Sequence, residues 1–321
     1  MQSFTSLSAI FEDQFNKRHF PDEPKNLYDA SQYILKIGGK RVRPVAVLMG
    51  NELFSDIDPE AYHVANAVEL FHNFSLVHDD IMDKAPLRRG VPTVHMNYGE
   101  STALLAGDVM LVAAYEYLNK ISSSHLHSIM SLFNKTAKEV CEGQQLDMDF
   151  EKREQVSLDE YVNMITLKTS VLLAASLQMG AIMGGASIGN REHLFEFGKN
   201  LGIAFQVQDD YLDCFGDPEK FGKQIGGDIL ANKKTFLMIH AMEVANPVQQ
   251  KELAVLLHSN PVDKVERVLQ LFHDCKADAW AASLKEKYSD VAMKHLEDVA
   301  VLNSRKEELH KLAQYLLQRD S

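Results

Sequence analysis

The chain has 321 residues, 45% of them apolar, and a formal net charge of −12. That is enough apolar material for a buried core. The acidity argues against a general binder of nucleic acid or anionic membrane, because both need a cationic footprint.

The first twenty residues, "MQSFTSLSAIFEDQFNKRHF", lack the basic start and apolar core of a signal peptide. Cys141, Cys214 and Cys275 form neither a CxxC pair nor a zinc spacing, and their odd number argues against a disulfide framework. A reducing, cytoplasmic setting is the expectation.

"GGKRVRP" follows at Gly38–Pro44 and places Lys40, Arg41 and Arg43 behind a double glycine. It is not a Walker loop, since the GxxxxGK[ST] spacing is absent, and no GxGxxG occurs either. "SDIDPE" reads as a loop. Beyond it, "LVHDDIMDKAPLRRG" carries Asp79, Asp80 and Asp83, then Arg88 and Arg89.

Residues 93–217 contain no proline. Within them "LLAGDVMLVAAYEYLNKI" and "HLHSIMSLFNKTAKEVCEGQQLDMDF" repeat apolar residues at three and four, the helical spacing. Strand alternation bounded by Asn-Gly or Asp-Gly turns is missing. Thr169–Asn190 carries no charge and is long enough to span a membrane. Its glycines, serines and Gln178 favour a buried helix of small residues instead. The loop "GDPEKFGKQIGGD" and a tail of amphipathic helices rich in Leu, Lys and Glu complete the chain. The expectation is an all-α, single-domain helical bundle over residues 1–321, with roughly ten or more helices at ordinary lengths.

The chemistry gathers around two aspartate clusters. Asp79, Asp80 and Asp83 stand at i, i+1 and i+4, which spreads them over one broad helix face, at about 0°, 100° and 40°. Asp209, Asp210 and Asp213 repeat that spacing. A solvated acidic face should have polar flanks, yet these clusters follow "HNFSLV" and "GIAFQV". Helices that aim carboxylates into a bundle core are one way to build a metal site. Mg²⁺ is the natural guest, because it takes hard oxygen ligands and shares them with substrate phosphate. The EF-hand loop is absent, and His72, His78 and His95 do not form the HExxH arrangement of zinc enzymes. Cations suited to phosphate lie in or beside glycine-containing breaks: Lys40, Arg43, Arg88, Arg89, Lys168, Lys223 and Lys233.

Taken in order, "GGKRVRP", "LVHDDIMDKAPLRRG", "LLAGD", "GQQLD", "KTS", "FQVQDDYLD" and "GKQIGGDI" resemble the motif series of the trans-isoprenyl diphosphate synthases, the polyprenyl synthetases. The resemblance covers about Gly38 to Thr235. It implies an all-α fold around a central cavity, a homodimer, and Mg²⁺-dependent head-to-tail condensation of isopentenyl diphosphate with an allylic diphosphate. The released diphosphate takes the proton.

By match to those motifs, Asp79, Asp83 and Asp209 resemble Mg²⁺ ligands, with Asp80, Asp210 and Asp213 in support. Arg88, Lys168, Thr169, Gln206, Lys223 and Lys233 resemble contacts to the allylic substrate. Lys40, Arg43, His72 and Arg89 resemble contacts to isopentenyl diphosphate; some members carry Gln at the position of His72. Ser75 and Phe74, four and five residues before Asp79, resemble the chain-length floor, and Phe71 is a second stop. One aromatic beside a small serine implies a short-chain product, geranylgeranyl diphosphate first and farnesyl diphosphate second. A terpene cyclase would replace the second DDxxD with an Asn/Ser-rich motif. A silent subunit would have lost aspartates, and all six are present.

Overall fold

Ser3 begins the first helix by accepting the amide of Ser6 on its side chain, an N-cap that replaces a missing intrahelical partner. This local logic recurs. Ser157 and Glu160 form a reciprocal capping box, and so do Asn246 and Gln249, the latter with Pro247 in the first helical turn. The computed structural model describes residues 1–216 and 225–318. Their regular structure is almost wholly helical, as the periodicity predicted.

The chain divides into two compact units. The first comprises Met1–Lys135, Ala175–Phe195 and Val299–Glu308, and the second Thr136–Ala174, Glu196–Asp298 and Leu309–Ser321. Both draw on separated stretches of chain, so neither is a contiguous segment of sequence.

The first unit contains α1 (Phe4–Phe15), α2 (Lys25–Lys36), α3 (Val42–Glu52), α4 (Ala61–Met82), α5 (Val94–Tyr98) and α6 (Glu100–Leu118). It also takes the start of α7 (Ser123–Lys152) and the end of α9 (Val171–Met183). Small residues let its backbones meet. A Cβ at Gly180 would lie 2.0 Å from the carbonyl oxygen of Val47, and one at Gly50 would lie 2.3 Å from that of Leu177. Likewise, Gly107 of α6 leaves room for the His78 ring of α4, whose Nε2 is 3.1 Å from the Leu104 carbonyl oxygen.

Two expectations change here. The uncharged stretch Thr169–Asn190 is not one helix. α9 stops at Met183, Gly185 turns the chain at φ +73°, and α10 (Ile188–Phe215) begins beyond. Leu158–Met183 is long and apolar enough to cross a membrane, but 72% of its apolar window is buried inside the protein.

A two-stranded hairpin also appears where no strand was expected. Leu87–Arg88 pairs with Val91–Pro92 around Arg89-Gly90. A two-residue hairpin loop of this hand needs positive φ at both positions. Arg89 adopts 51° and Gly90 78°, so Arg-Gly does here what Asn-Gly usually does.

The second unit holds the rest of α7 and α10, α8 (Leu158–Ile165), α11 (Gly227–Leu230), α12 (Phe236–Val244), α13 (Pro247–Leu257), α14 (Lys264–Asp274) and α15 (Ala277–Asp298). α16 (Asn303–Leu317) begins in the first unit and ends in the second. Tyr161, Ile203, Val207, Phe236, Val268 and Phe272 belong to its core. Between α8 and α9 the backbone widens into a π-turn at Thr166–Ser170, a local irregularity often found at functional sites.

Candidate active site

Both aspartate clusters lie at the C-terminal ends of long helices. Asp79 and Asp80 occupy the last turn of α4, with Asp83 as its C-cap, and Asp209, Asp210 and Asp213 fall in the last two turns of α10. A helix C-terminus carries negative potential, so carboxylates there are disfavoured twice and call for a cation.

In the first unit the cluster splits by role. Asp80 is buried and receives a bidentate fork from Arg88, Nε to Oδ2 and Nη2 to Oδ1, both at 2.8 Å. Asp79 is half-buried, 3.5 Å from the same guanidinium, and Asp83 is exposed. Burial opposes the charge on Arg88, but the hydrogen bonds and charge of Asp80, with Asp79 and Asp83 behind, hold it above its ordinary range.

The basic residues after the double glycine separate in the same way. Arg41, a left-handed residue at the start of α3, turns inward to Glu69 and to the Leu35 carbonyl. Arg43 instead donates from Nη1 to His72 Nε2 at 3.2 Å. A guanidinium has only donors, so Nε2 is the acceptor and the ring proton resides on Nδ1. Burial first, then Arg43, Arg89, Arg88 and Arg41, hold His72 well below its usual pKa, so the ring is neutral. Arg89 lies against Gly39, with Nη1 2.9 Å from where a Cβ there would sit; burial first, then the Arg89 charge, hold Arg43 below its ordinary range against the opposing pull of Glu69. Lys40, the next residue along, is exposed. Arg43, His72 and Arg89 are thus brought into one cationic neighbourhood, with Lys40 next in sequence to the Gly39 that Arg89 touches.

Phe74 is half-buried between neighbours on its own helix, its ring 5.5 Å from Phe71 and 4.8 Å from His78. Phe71 is buried against Phe133 at 5.4 Å. Ser75 returns its hydroxyl to the His72 carbonyl at 2.8 Å.

In the second unit a pocket of about 230 Å³ is lined by Asp147, Asp209, Asp210, Asp213 and Asp228, together with Lys168, Thr169, Lys233, Gln206 and Tyr161. Asp210 is buried, accepting from Tyr161 at 2.9 Å and from Gln206 Nε2 at 2.9 Å. Gln206 therefore steadies Asp210 with one of its amide hydrogens while itself lining the pocket. Burial and the charge of Asp228 push Asp210 up to about 8, Gln206 and Tyr161 pull it back, and Asp209 adds to the rise. Asp213 accepts the Asp228 amide at 3.0 Å. Lys168, raised on the π-turn, pairs with Asp147 at 2.6 Å, and Lys233 lies 3.5 Å from Asp228. Lys223 lies outside the described residues.

Among the described residues the pocket therefore sets five aspartates, with the buried Asp210 pushed toward its neutral form, against two lysines. Its donors are hard oxygens with no thiolate or imidazole among them, the set that suits Mg²⁺.

Five residues that matter here were not among the site candidates drawn from the sequence. Asp147 and Asp228 stand inside quoted motifs, "GQQLD" and "GKQIGGDI", so position could have found them. Tyr161 and Glu69 carry weaker signals, a hydroxyl and an acid within apolar helices. Arg41 looked equivalent to its neighbours.

A family model for polyprenyl synthetase matches residues 24–274. The chain is 39% identical over 330 residues, covering 99% of both chains, to the geranylgeranyl diphosphate synthase of Saccharolobus solfataricus. It is 42% identical over 248 residues, 77% of this chain and 76% of the other, to a short chain isoprenyl diphosphate synthase of Methanocaldococcus jannaschii. The crystal structure of geranylgeranyl pyrophosphate synthetase from Pyrococcus horikoshii is similar with a TM-score of 0.92, at 34% identity and 98% coverage of each chain.

Proposed function

The chain belongs to the polyprenyl synthetase family, and from that premise we propose that it is a Mg²⁺-dependent short-chain trans-prenyltransferase. Its substrates are isopentenyl diphosphate and allylic diphosphates, and its main product is geranylgeranyl diphosphate. The observation that carries this reading is the acidic pocket in which Lys168, Thr169 and Lys233 stand among five aspartates.

Asp79, Asp83 and Asp209 would hold Mg²⁺, which supplies neutralising charge for the departing diphosphate. Asp80 and Asp210 each stay behind within their own cluster, tied to Arg88 and to Tyr161 and Gln206 respectively. Lys168 and Lys233 bring cationic hydrogen-bond donors to the allylic diphosphate, with Arg88 acting from the first cluster. Such fixed charges favour the state in which the diphosphate takes up negative charge as it leaves. Arg43, Arg89, Lys40 and the Nδ1–H of His72 bind the diphosphate of the second substrate. Neutral His72 serves there as a donor of direction, while the two guanidinium groups supply the charge.

A homodimer is part of the same reading. Leu105 and Val112, seven residues apart on α6, are 56% and 58% exposed, and Val112 lines a groove with Tyr115, Leu126 and Met130. Light scattering of the purified protein tests this.

Incubation with isopentenyl diphosphate, each allylic starter and Mg²⁺, followed by product chromatography, tests the activity. Geranylgeranyl diphosphate as the main product is expected. No consumption of isopentenyl diphosphate with any starter would refute the reading.

A further inference from the structure

Taking Lys233 as a contact to the allylic diphosphate, as in the reading above, we propose that Lys264 is a positioning residue for the turn that carries Asp228 and Lys233. Its sequence context, "NPVDKVERVL", suggests only a surface charge at the start of an amphipathic helix. The structure differs: Lys264 is 1% exposed. Its ammonium donates to Asn232 Oδ1 at 2.5 Å and to Asn260 Oδ1 at 2.9 Å. Both acceptors are neutral carboxamides. A buried ammonium with such partners is costly to desolvate, whereas a methionine of similar length would fill the space without that cost.

What the ammonium holds is specific. Asn232 lies just past α11 in the left-handed region at φ 56°, a conformation asparagine tolerates at a helix end, and the grip on its Oδ1 fixes the side chain there. That conformation lets the Lys233 amide reach back to the Asp228 carbonyl at 2.9 Å and close the turn. At its other end the turn is fastened to the second aspartate cluster. Asp213 accepts the Gly226 amide on its carbonyl at 2.7 Å and the Asp228 amide on its carboxylate at 3.0 Å.

α14 supports both ends. Val265 packs so closely under Gly226 that a Cβ there would lie 2.5 Å from it, and Lys264, one residue earlier, grips Asn232. The first turn of α14 is therefore the base on which the Asp228–Lys233 turn rests. Lys264 sets the backbone from which Lys233 departs, one residue beyond Asn232, and so the direction in which Lys233 enters the pocket.

The test is a double-mutant cycle read as KM for farnesyl diphosphate and, separately, for isopentenyl diphosphate. Lys233→Ala alone should raise KM for farnesyl diphosphate. Lys264→Met should raise the same KM by about tenfold, as expected when a binding group is misplaced by a fraction of an ångström, and leave KM for isopentenyl diphosphate within about twofold. In the Lys233→Ala background, adding Lys264→Met should change KM for farnesyl diphosphate by less than about twofold, because both substitutions act on one group. Lys264→Gln keeps a donor toward Asn232 and should fall between parent and Lys264→Met. It carries the cycle if the methionine variant does not fold.

Equal fold-changes in the two backgrounds would mean that Lys264 acts on the protein at large, and would overturn the proposal. So would an unchanged KM in both Lys264 variants while Lys233→Ala raises it. If Lys233→Ala itself leaves KM for farnesyl diphosphate unchanged, the substrate role of Lys233 fails and the positioning role falls with it.

Discussion

Gly143 and Lys168 touch backbone to backbone: a Cβ at position 143 would lie 2.3 Å from the Lys168 amide nitrogen. One helical turn later on α7, Asp147 reaches the Lys168 ammonium at 2.6 Å. "GQQLD" therefore works as a unit, its glycine admitting the π-turn and its aspartate aligning the lysine that the turn presents.

Gly143→Ala should then cost about 1–3 kcal/mol of stability, in the range for forcing a methyl group into a packed contact, because the obstacle is backbone that cannot rotate away. Denaturant unfolding measures the loss. Steady-state assay should find a larger fall in kcat/KM for the allylic substrate than for isopentenyl diphosphate. A fully stable and fully active variant would remove this explanation of the motif.

Tyr161 is a hydrogen-bond anchor for Asp210 inside the second unit, its ring edge-on to Phe236 with centroids 4.6 Å apart. Burial, followed by the Asp210 charge, raises its phenol well above the ordinary range, so the hydroxyl remains a donor at any working pH. Tyr161→Phe keeps the ring packing and leaves a buried carboxyl oxygen of Asp210 short of one donor. Loss of about 1–3 kcal/mol in urea unfolding of the metal-free protein is expected, together with lower turnover. Unchanged unfolding would mean that water or Gln206 replaces the phenol.

His72 makes stability depend on pH. The folded protein holds it well below the reference value of 6.5, through burial and then the charges of Arg43, Arg89, Arg88 and Arg41. As pH falls through 6.5 the unfolded chain protonates this residue while the folded one does not. The unfolded state then binds more protons, so stability declines on the acid side and is level above it. His72→Gln retains a side-chain amide donor and removes the titration. Melting temperatures between about pH 5.5 and 7.5 should fall less in this variant than in the parent. Parallel curves would place the sensitivity in the other depressed histidines, His19, His63 and His240.

Product length should respond to Phe74 and Ser75. Phe74 lies against Phe71, the two rings tilted by 47° with centroids 5.5 Å apart, so removing one ring exposes another. Phe74→Ala should lengthen the main product, with Phe71 limiting the gain, and Ser75→Phe should shorten it. Chromatography of the products decides this. Identical product from the parent and both variants would locate the floor elsewhere.

The sequence by itself determined the helical fold, the two aspartate clusters and the order of the motifs. All three are local properties. Helical periodicity, the i, i+1, i+4 spacing of Asp79, Asp80 and Asp83, and glycine-containing breaks are written within a few residues of one another. The hairpin escaped notice because its turn rests on Arg89, a residue type that rarely takes positive φ and does so here under tertiary constraint.

Only the tertiary structure decided which member of each group turns inward. Arg41 and Arg43 are two residues apart, yet one is spent on buried Glu69 and the other meets His72. Asp80 and Asp210 became anchors because Arg88 and Tyr161, brought there by packing, met them on the buried side. Lys264 looked like surface and is core, because Asn232 arrives from another part of the chain. The physical reason is common to all three. Whether a charged side chain is desolvated depends on what is packed over it, and the covering groups come from outside its own helical turn, from eight residues away for Arg88 and Asp80 to 49 for Tyr161 and Asp210.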